Sequence, residues 1–179
     1  MAVRQSLLAL LAEQDRYGYQ LRQEFEHRTG GTWPINIGQV YTTINRLQRD
    51  GLVAEAGRQD DGSVVYTLTQ AGRKEAEQWW ATPVDRTTPS REELAIKLAL
   101  AVSSPGVDVP AVVQRQRTES LRALQAYTRA KRQITGDDDA STARLLVLDS
   151  LIFAAEAEVR WLDHAEQTLA LRRSRTSRA

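Results

Sequence analysis

Three features of the sequence predict a mostly α chain built in two parts. Apolar residues recur at helical spacing through much of residues 1–81 and almost all of 90–171. One strand-like stretch interrupts the first part, where Leu52–Ala56 and Val64–Thr69 flank Asp60-Asp61-Gly62. Between the parts, residues 81–90 hold two prolines and three threonines, which is linker composition. A chain of 179 residues with 41% hydrophobic content can bury one ordinary core or two small ones. The expected organisation is a domain over 1–81, a linker over 82–90, a helical domain over 91–171 and a disordered basic tail over 172–179.

The first helix is expected over Val3–Glu13. Leu7, Leu8, Leu10 and Leu11 make it apolar around much of its girth, so it is buried on more than one side. Tyr17-Gly18-Tyr19 marks a turn, and a second helix follows over Gly18–Thr29 with Leu21 and Phe25 four residues apart. Gly30-Gly31 ends it. A third helix is expected over Ile37–Asp50, stopped by Gly51. At 100° per residue, Val40, Ile44, Leu47 and Gly51 fall within about 60° of one line, which packs inward. Gln39, Thr42, Arg46 and Arg49 fall on the opposite side. All four can donate hydrogen bonds and none is negative.

Asp-Gly between two strand-like runs is a hairpin signal. Thr69 is placed to cap a fourth helix over Gln70–Thr82. Three more helices are expected over Arg91–Val102, Val109–Ile134 and Ser141–Leu171, with Gly136 and three aspartates breaking the last two apart. On the last, Leu145, Leu148, Ile152, Ala155, Val159, Leu162 and Leu169 follow a 3–4 repeat. Thirty residues of helix extend about 45 Å. One small domain cannot hide that seam alone, so Leu145, Leu148, Ile152, Val159 and Leu162 are expected to pair with a second copy.

Composition removes several function classes. The balance of 24 basic and 23 acidic residues excludes a bulk polycation. Residues 1–81 alone hold nine basic and ten acidic residues, so any DNA affinity rests on one face rather than net charge. The absence of cysteine excludes thiol nucleophiles, Fe–S clusters and thiolate zinc sites. The two histidines, His27 and His164, lie far apart, and no nucleophile–base pair or phosphate loop is evident. No enzyme activity, cofactor or metal is expected. No apolar run approaches a bilayer span, and a cytoplasmic location is expected.

Helix, helix, polar-faced helix, hairpin is the order of a winged helix-turn-helix with a two-stranded wing. There the third helix enters the major groove and the wing rides on a phosphate backbone. Arg46 and Arg49 suit guanine or phosphate, Gln39 suits adenine, and Thr42 is short enough to let the helix sit deep.

The carrying motifs are Tyr17-Gly18-Tyr19, then Gly38-x-x-Tyr41-x-x-Ile44-x-Arg46-Leu47-x-x-x-Gly51-Leu52-Val53, then Tyr66-x-Leu68-Thr69-x-x-Gly72. In this order they resemble the PadR family of transcriptional regulators. Leu94–Leu98, Pro105-Gly106 and Glu158–Leu162 resemble the all-helical C-terminal domain of the family's longer members. The resemblance implies a homodimeric repressor of a palindromic double-stranded operator, with Tyr41 and the outward residues of the third helix near DNA. Arg58 is the basic residue nearest the wing tip. The tip itself is acidic where family wings are often basic, so the wing is expected to contribute little or to approach DNA with its flank rather than its tip. Because some family members respond to phenolic acids or flat drug-like compounds, the pair Trp79-Trp80 is a candidate pocket for a small aromatic effector. The alternative is a protein–protein adaptor that keeps the winged helix without DNA binding, favoured by the acidic tip.

Overall fold

The computed structural model describes residues 2–84 and 92–176 and divides into two compact units, Met1–Arg86 and Thr87–Ala179. The linker expected at 82–90 lies mostly outside the described residues, as do the last three residues of the tail.

The first unit contains α1 (Ala2–Glu13), β1 (Arg16–Tyr17), α2 (Gly18–Arg28), α3 (Ile37–Arg49), β2 (Val53–Arg58), β3 (Val64–Leu68) and α4 (Gln70–Ala81). The leucines of α1 are buried at four positions that no single helix face contains, because α1 packs against α2, α3, α4 and β3. Leu7, Leu8, Leu21, Val40, Ile44 and Leu47 are fully buried in this core. Truncating any of its leucines to Ala costs about 2–5 kcal/mol.

The sheet has three antiparallel strands in the order β1-β3-β2. The third strand is the two-residue β1, which pairs Arg16 with Tyr66 and Tyr17 with Val65. Sequence reading makes Tyr17-Gly18-Tyr19 a turn. The structure gives Tyr17 to the sheet and starts α2 at Gly18 directly. Glu55 faces Tyr66 and Gly57 faces Val65, so Ala56 is the extra residue of a bulge that bends the wing.

The second unit contains α5 (Glu93–Ser103), α6 (Val109–Arg132) and α7 (Asp139–Thr176). Asp108 caps α6 by accepting from the Ala111 N–H at 3.1 Å. Asp138 accepts from the Ser141 N–H at 2.7 Å, so the aspartate run starts α7 rather than only ending α6. The helices α6 and α7 are antiparallel. Gln114 meets Glu166, Arg117 meets Asp163 and Glu166, Ser120 meets Glu158, and Lys131 meets Asp149. Leu98, Val113 and Leu162 form the core, one residue from each helix. The helix α7 continues through Thr176, into the expected tail.

Among the described residues, no helix is long and apolar enough to cross a membrane, and no cluster of His, Asp or Glu is arranged to hold a metal ion.

Candidate nucleic-acid interface

The third helix is fixed at both ends and along its inner face. At its start the Asn36 side chain accepts from the Gln39 N–H at 2.7 Å. At its end Gly51 adopts a left-handed conformation (φ 73°). Its N–H reaches the Gln48 carbonyl while the Leu52 N–H reaches Leu47, both at 2.9 Å. That double closure is a Schellman motif, which needs glycine at this position.

The end of α3 is also clasped from outside. The Thr69 hydroxyl donates to the Gly51 carbonyl at 2.8 Å, and the Thr69 N–H donates to Leu52 at 3.0 Å. The same hydroxyl accepts from the Gly72 N–H at 3.1 Å and so caps α4. Gly72 lies so near Leu52 that an added Cβ would stand 2.1 Å from its carbonyl oxygen. The Thr69-x-x-Gly72 motif is therefore a mechanical joint between α3, the wing and α4.

Gln39, Tyr41, Thr42, Arg46, Arg49 and Arg58 are all exposed. Tyr41 does not project freely. Its ring lies over Gly18, where an added Cβ would meet ring carbon Cε1 at 2.7 Å. This contact explains why Tyr17-Gly18-Tyr19 and Tyr41 occur together. It also leaves Tyr41 at the edge of the exposed face, beside Tyr66, whose phenol is pushed up from its ordinary pKa chiefly by burial.

Two further residues share the outward face and are missing from the sequence-based site. Asn45 lies between Thr42 and Arg49 and is exposed, with an amide suited to an adenine edge. Gly38 is exposed at the first turn, where a missing side chain permits close backbone approach. Allowing the outward face a wider arc on the helical wheel would have included both.

Ion pairing sorts the nearly neutral first unit. Arg4 pairs with Glu75 and Asp50, Arg16 with Glu13, Arg22 with Glu26, and Arg28 with Glu13 and Glu24. These contacts hold the Glu13 and Glu75 carboxyls below the usual carboxylate range, chiefly through the hydrogen bonds from Arg28 and Arg4. Arg49 has only a 3.8 Å contact with Asp50. Among the described residues of the unit, Arg46, Arg58, Arg73 and Lys74 have no ion pair. Two of these four uncompensated cations stand on the predicted DNA face.

The wing tip is also resolved chemically. Asp61 accepts from the Ser63 N–H at 2.8 Å, and this bond holds its carboxyl below the ordinary value. Gly62 donates to the Gln59 carbonyl and Gln59 to the Ser63 carbonyl, both at 2.9 Å, with Gly62 left-handed at φ 83°. One of the two tip acids is therefore a turn-former.

The structure brings Trp79 and Trp80 together, with ring centroids 4.5 Å apart and planes tilted by 46°. Trp80 is 71% exposed and Trp79 is half-buried. Both line a cleft of about 140 Å³ with Leu10, Phe25, Glu13 and Arg28.

The residues expected at a dimer interface divide. Leu145, Leu148, Ile152 and Val159 are half-buried within the chain. Leu162 is fully buried in the core it shares with Leu98 and Val113, so its apolar surface is already covered within one chain. The heptad pattern recorded an apolar stripe but not which helix covers it, and α6 takes part of it. The exposed apolar row on α7 runs instead through Leu146 and Phe153, each 66% exposed, to Trp161.

Comparison with known proteins gives concordant results. Residues 7–78 match the model of the transcriptional regulator PadR-like family, and residues 90–170 match that of the virulence activator alpha C-terminal domain. A probable transcriptional regulator of Mycobacterium tuberculosis, Rv1176c, is 29% identical over 94% of this chain and 98% of its own. The Vibrio cholerae virulence activator AphA superposes with a TM-score of 0.69 at 23% identity, covering 94% of this chain and 98% of that one. Bacillus subtilis PadR has been solved with operator DNA (TM-score 0.65, 19% identity, 95% and 97% covered). It has also been solved with p-coumaric acid (TM-score 0.68, 20% identity, 96% and 98% covered). The two solved proteins establish likeness of fold.

Proposed function

The chain belongs to the PadR-like family of DNA-binding transcriptional regulators, which are not enzymes, and on that premise we propose that it is a cytoplasmic homodimeric repressor. In this reading α3 lies in the major groove of a palindromic operator, and the two copies of α3 enter successive grooves about 34 Å apart. Gln39, Thr42, Arg46 and Arg49, joined by Asn45, meet base edges. Tyr41 and Arg58 meet phosphates and set the register.

The observation that carries the reading is the outward face of α3. It presents hydrogen-bond donors without a carboxylate among them, centres on the unpaired Arg46, and sits on a helix clamped at both ends. Dimerisation is supported by the row Leu146, Phe153 and Trp161, a long apolar face that needs a cover.

An aromatic effector is the second element of the proposal. The Trp79–Trp80 cleft, at about 140 Å³, has the volume of a cavity that holds one benzene-sized ring. Bacillus subtilis PadR, solved with p-coumaric acid, supports a single-ring aromatic as the class to test.

The test is a titration of the dimer against the DNA upstream of its own coding region and against an unrelated fragment of equal length, at about 150 mM salt. Selective binding, with transcription from that promoter lowered in a reconstituted assay, is expected. Selective binding that raises transcription would overturn the repressor assignment. Loss of all DNA binding, at low salt as well, would favour the adaptor alternative.

A further inference from the structure

The second unit carries a cleft whose chemistry DNA binding does not use. It lies between α6 and α7 and measures about 480 Å³, within the range of sites for drug-sized ligands. Its walls are low because Ala123, Ala154 and Ala155 face into it. Glu158 stands at one end. Tyr127 stands at the other, seven residues from Ser120 along α6, or about 10 Å.

The charge in this cleft is one-sided. Two carboxylates line it and no Lys, Arg or His does. Glu119 is neutralised by Arg122 on its own helix. Glu158 has no ion pair among the described residues. Its Oε1 accepts from both the buried Ser120 hydroxyl, at 2.5 Å, and the Gln116 amide, at 2.9 Å. Its Oε2 accepts from no described group. Two neutral donors thus fix the carboxylate in place and leave one oxygen for something else. A half-buried carboxylate without a cation is held at a cost that a positive ligand would remove.

We propose that this cleft binds an organic cation of one or two rings. Its protonated amine or amidine meets Glu158 Oε2, its body lies over the alanines, and its far ring reaches Tyr127. An aromatic carboxylate is excluded by charge. The site differs from the Trp79–Trp80 cleft, whose two lining charges, Glu13 and Arg28, are paired with each other.

The test uses the full chain, without DNA, in calorimetric titrations with 2-naphthamidine and with 2-naphthoate, which match in shape and oppose in charge. The amidine is expected to bind and the carboxylate is not. Glu158→Gln, which keeps an acceptor for Ser120 but removes the charge, should weaken the amidine on the order of tenfold or more. Ala154→Leu, which fills the cleft from an exposed position, should abolish binding. Sedimentation velocity should show the same assembly for all three proteins. Equal binding of both probes, or wild-type affinity in both variants, overturns the proposal. So does failure of the amidine to bind wild type, which would assign the cleft to a segment of a second copy.

Discussion

Gly72→Ala should be among the most damaging single-methyl additions in the first unit. The new Cβ would stand 2.1 Å from the Leu52 carbonyl oxygen and 3.0 Å from both its carbon and Leu68 Cδ2. Ordinary contact lies beyond about 3 Å, so α4 and the α3–β2 junction must part by about 1 Å. Rotamer changes cannot relieve this, because the obstacle is backbone that already accepts the Thr69 N–H. Overpacking costs about 1–3 kcal/mol, and a rigid obstacle puts this site at the upper end. For a domain of this size, about 3 kcal/mol lowers Tm by roughly 12–24 °C. Gly18→Ala provides the contrast. Its Cβ would meet Tyr41 at 2.7 Å, but Tyr41 is an exposed side chain that can swing away. Stability should change little, while operator affinity falls because Tyr41 is displaced. Scanning calorimetry and DNA titration of both variants measure the two effects. A Gly72→Ala protein melting within 2 °C of wild type, a margin far below that shift, would refute the reasoning that this joint is rigid.

Three further outcomes follow from the charges and the exposed faces. Glu13 and Glu75 have lowered folded pKa values, so their contribution is full above the ordinary value of 4.5 and is lost as pH falls through the folded values. Melting curves between neutral pH and pH 3, a window chosen to span the usual carboxylate range, should show wild type losing stability steeply on the acid side, and Glu75→Gln should show a shallower fall. At the wing, Asp60→Asn should strengthen binding to any DNA by removing repulsion, whereas Arg58→Ala should reduce the salt slope by about one. Phe153→Asp, alone or with Leu146→Asp, should give monomers by sedimentation with weak operator binding, while Val159→Asp should damage folding as well as assembly.

Much of the first unit was legible because its punctuation is local. Asn36, Gly51 and the cap that Thr69 gives α4 act within four positions, and the inward stripe of α3 is a matter of helical period, whereas the Thr69 bonds to Gly51 and Leu52 are long-range and were not legible. What periodicity does not carry is the identity of the covering partner. Leu162 fits the heptad row of α7 as well as Val159 does, yet Leu98 and Val113 cover it within the same chain. The short β1 was missed because two residues have no period, and Arg16–Tyr17 becomes a strand only through its pairing with β3. Charge pairing is also long-range. That Arg4 is held by Glu75, seventy-one positions away in sequence, depends on the packing of α1 beside α4.

The central claim is that α3 reads sequence through Arg46. It is tested most directly by titrating wild type and Arg46→Ala against the operator and against a scrambled duplex. Among the described residues Arg46 has no ion pair, so its removal should leave Tm unchanged. If it reads a guanine, Arg46→Ala should weaken operator binding by about 1–3 kcal/mol while the scrambled duplex loses far less. Equal affinity of the two proteins for the operator would contradict the claim and remove Arg46 from the site.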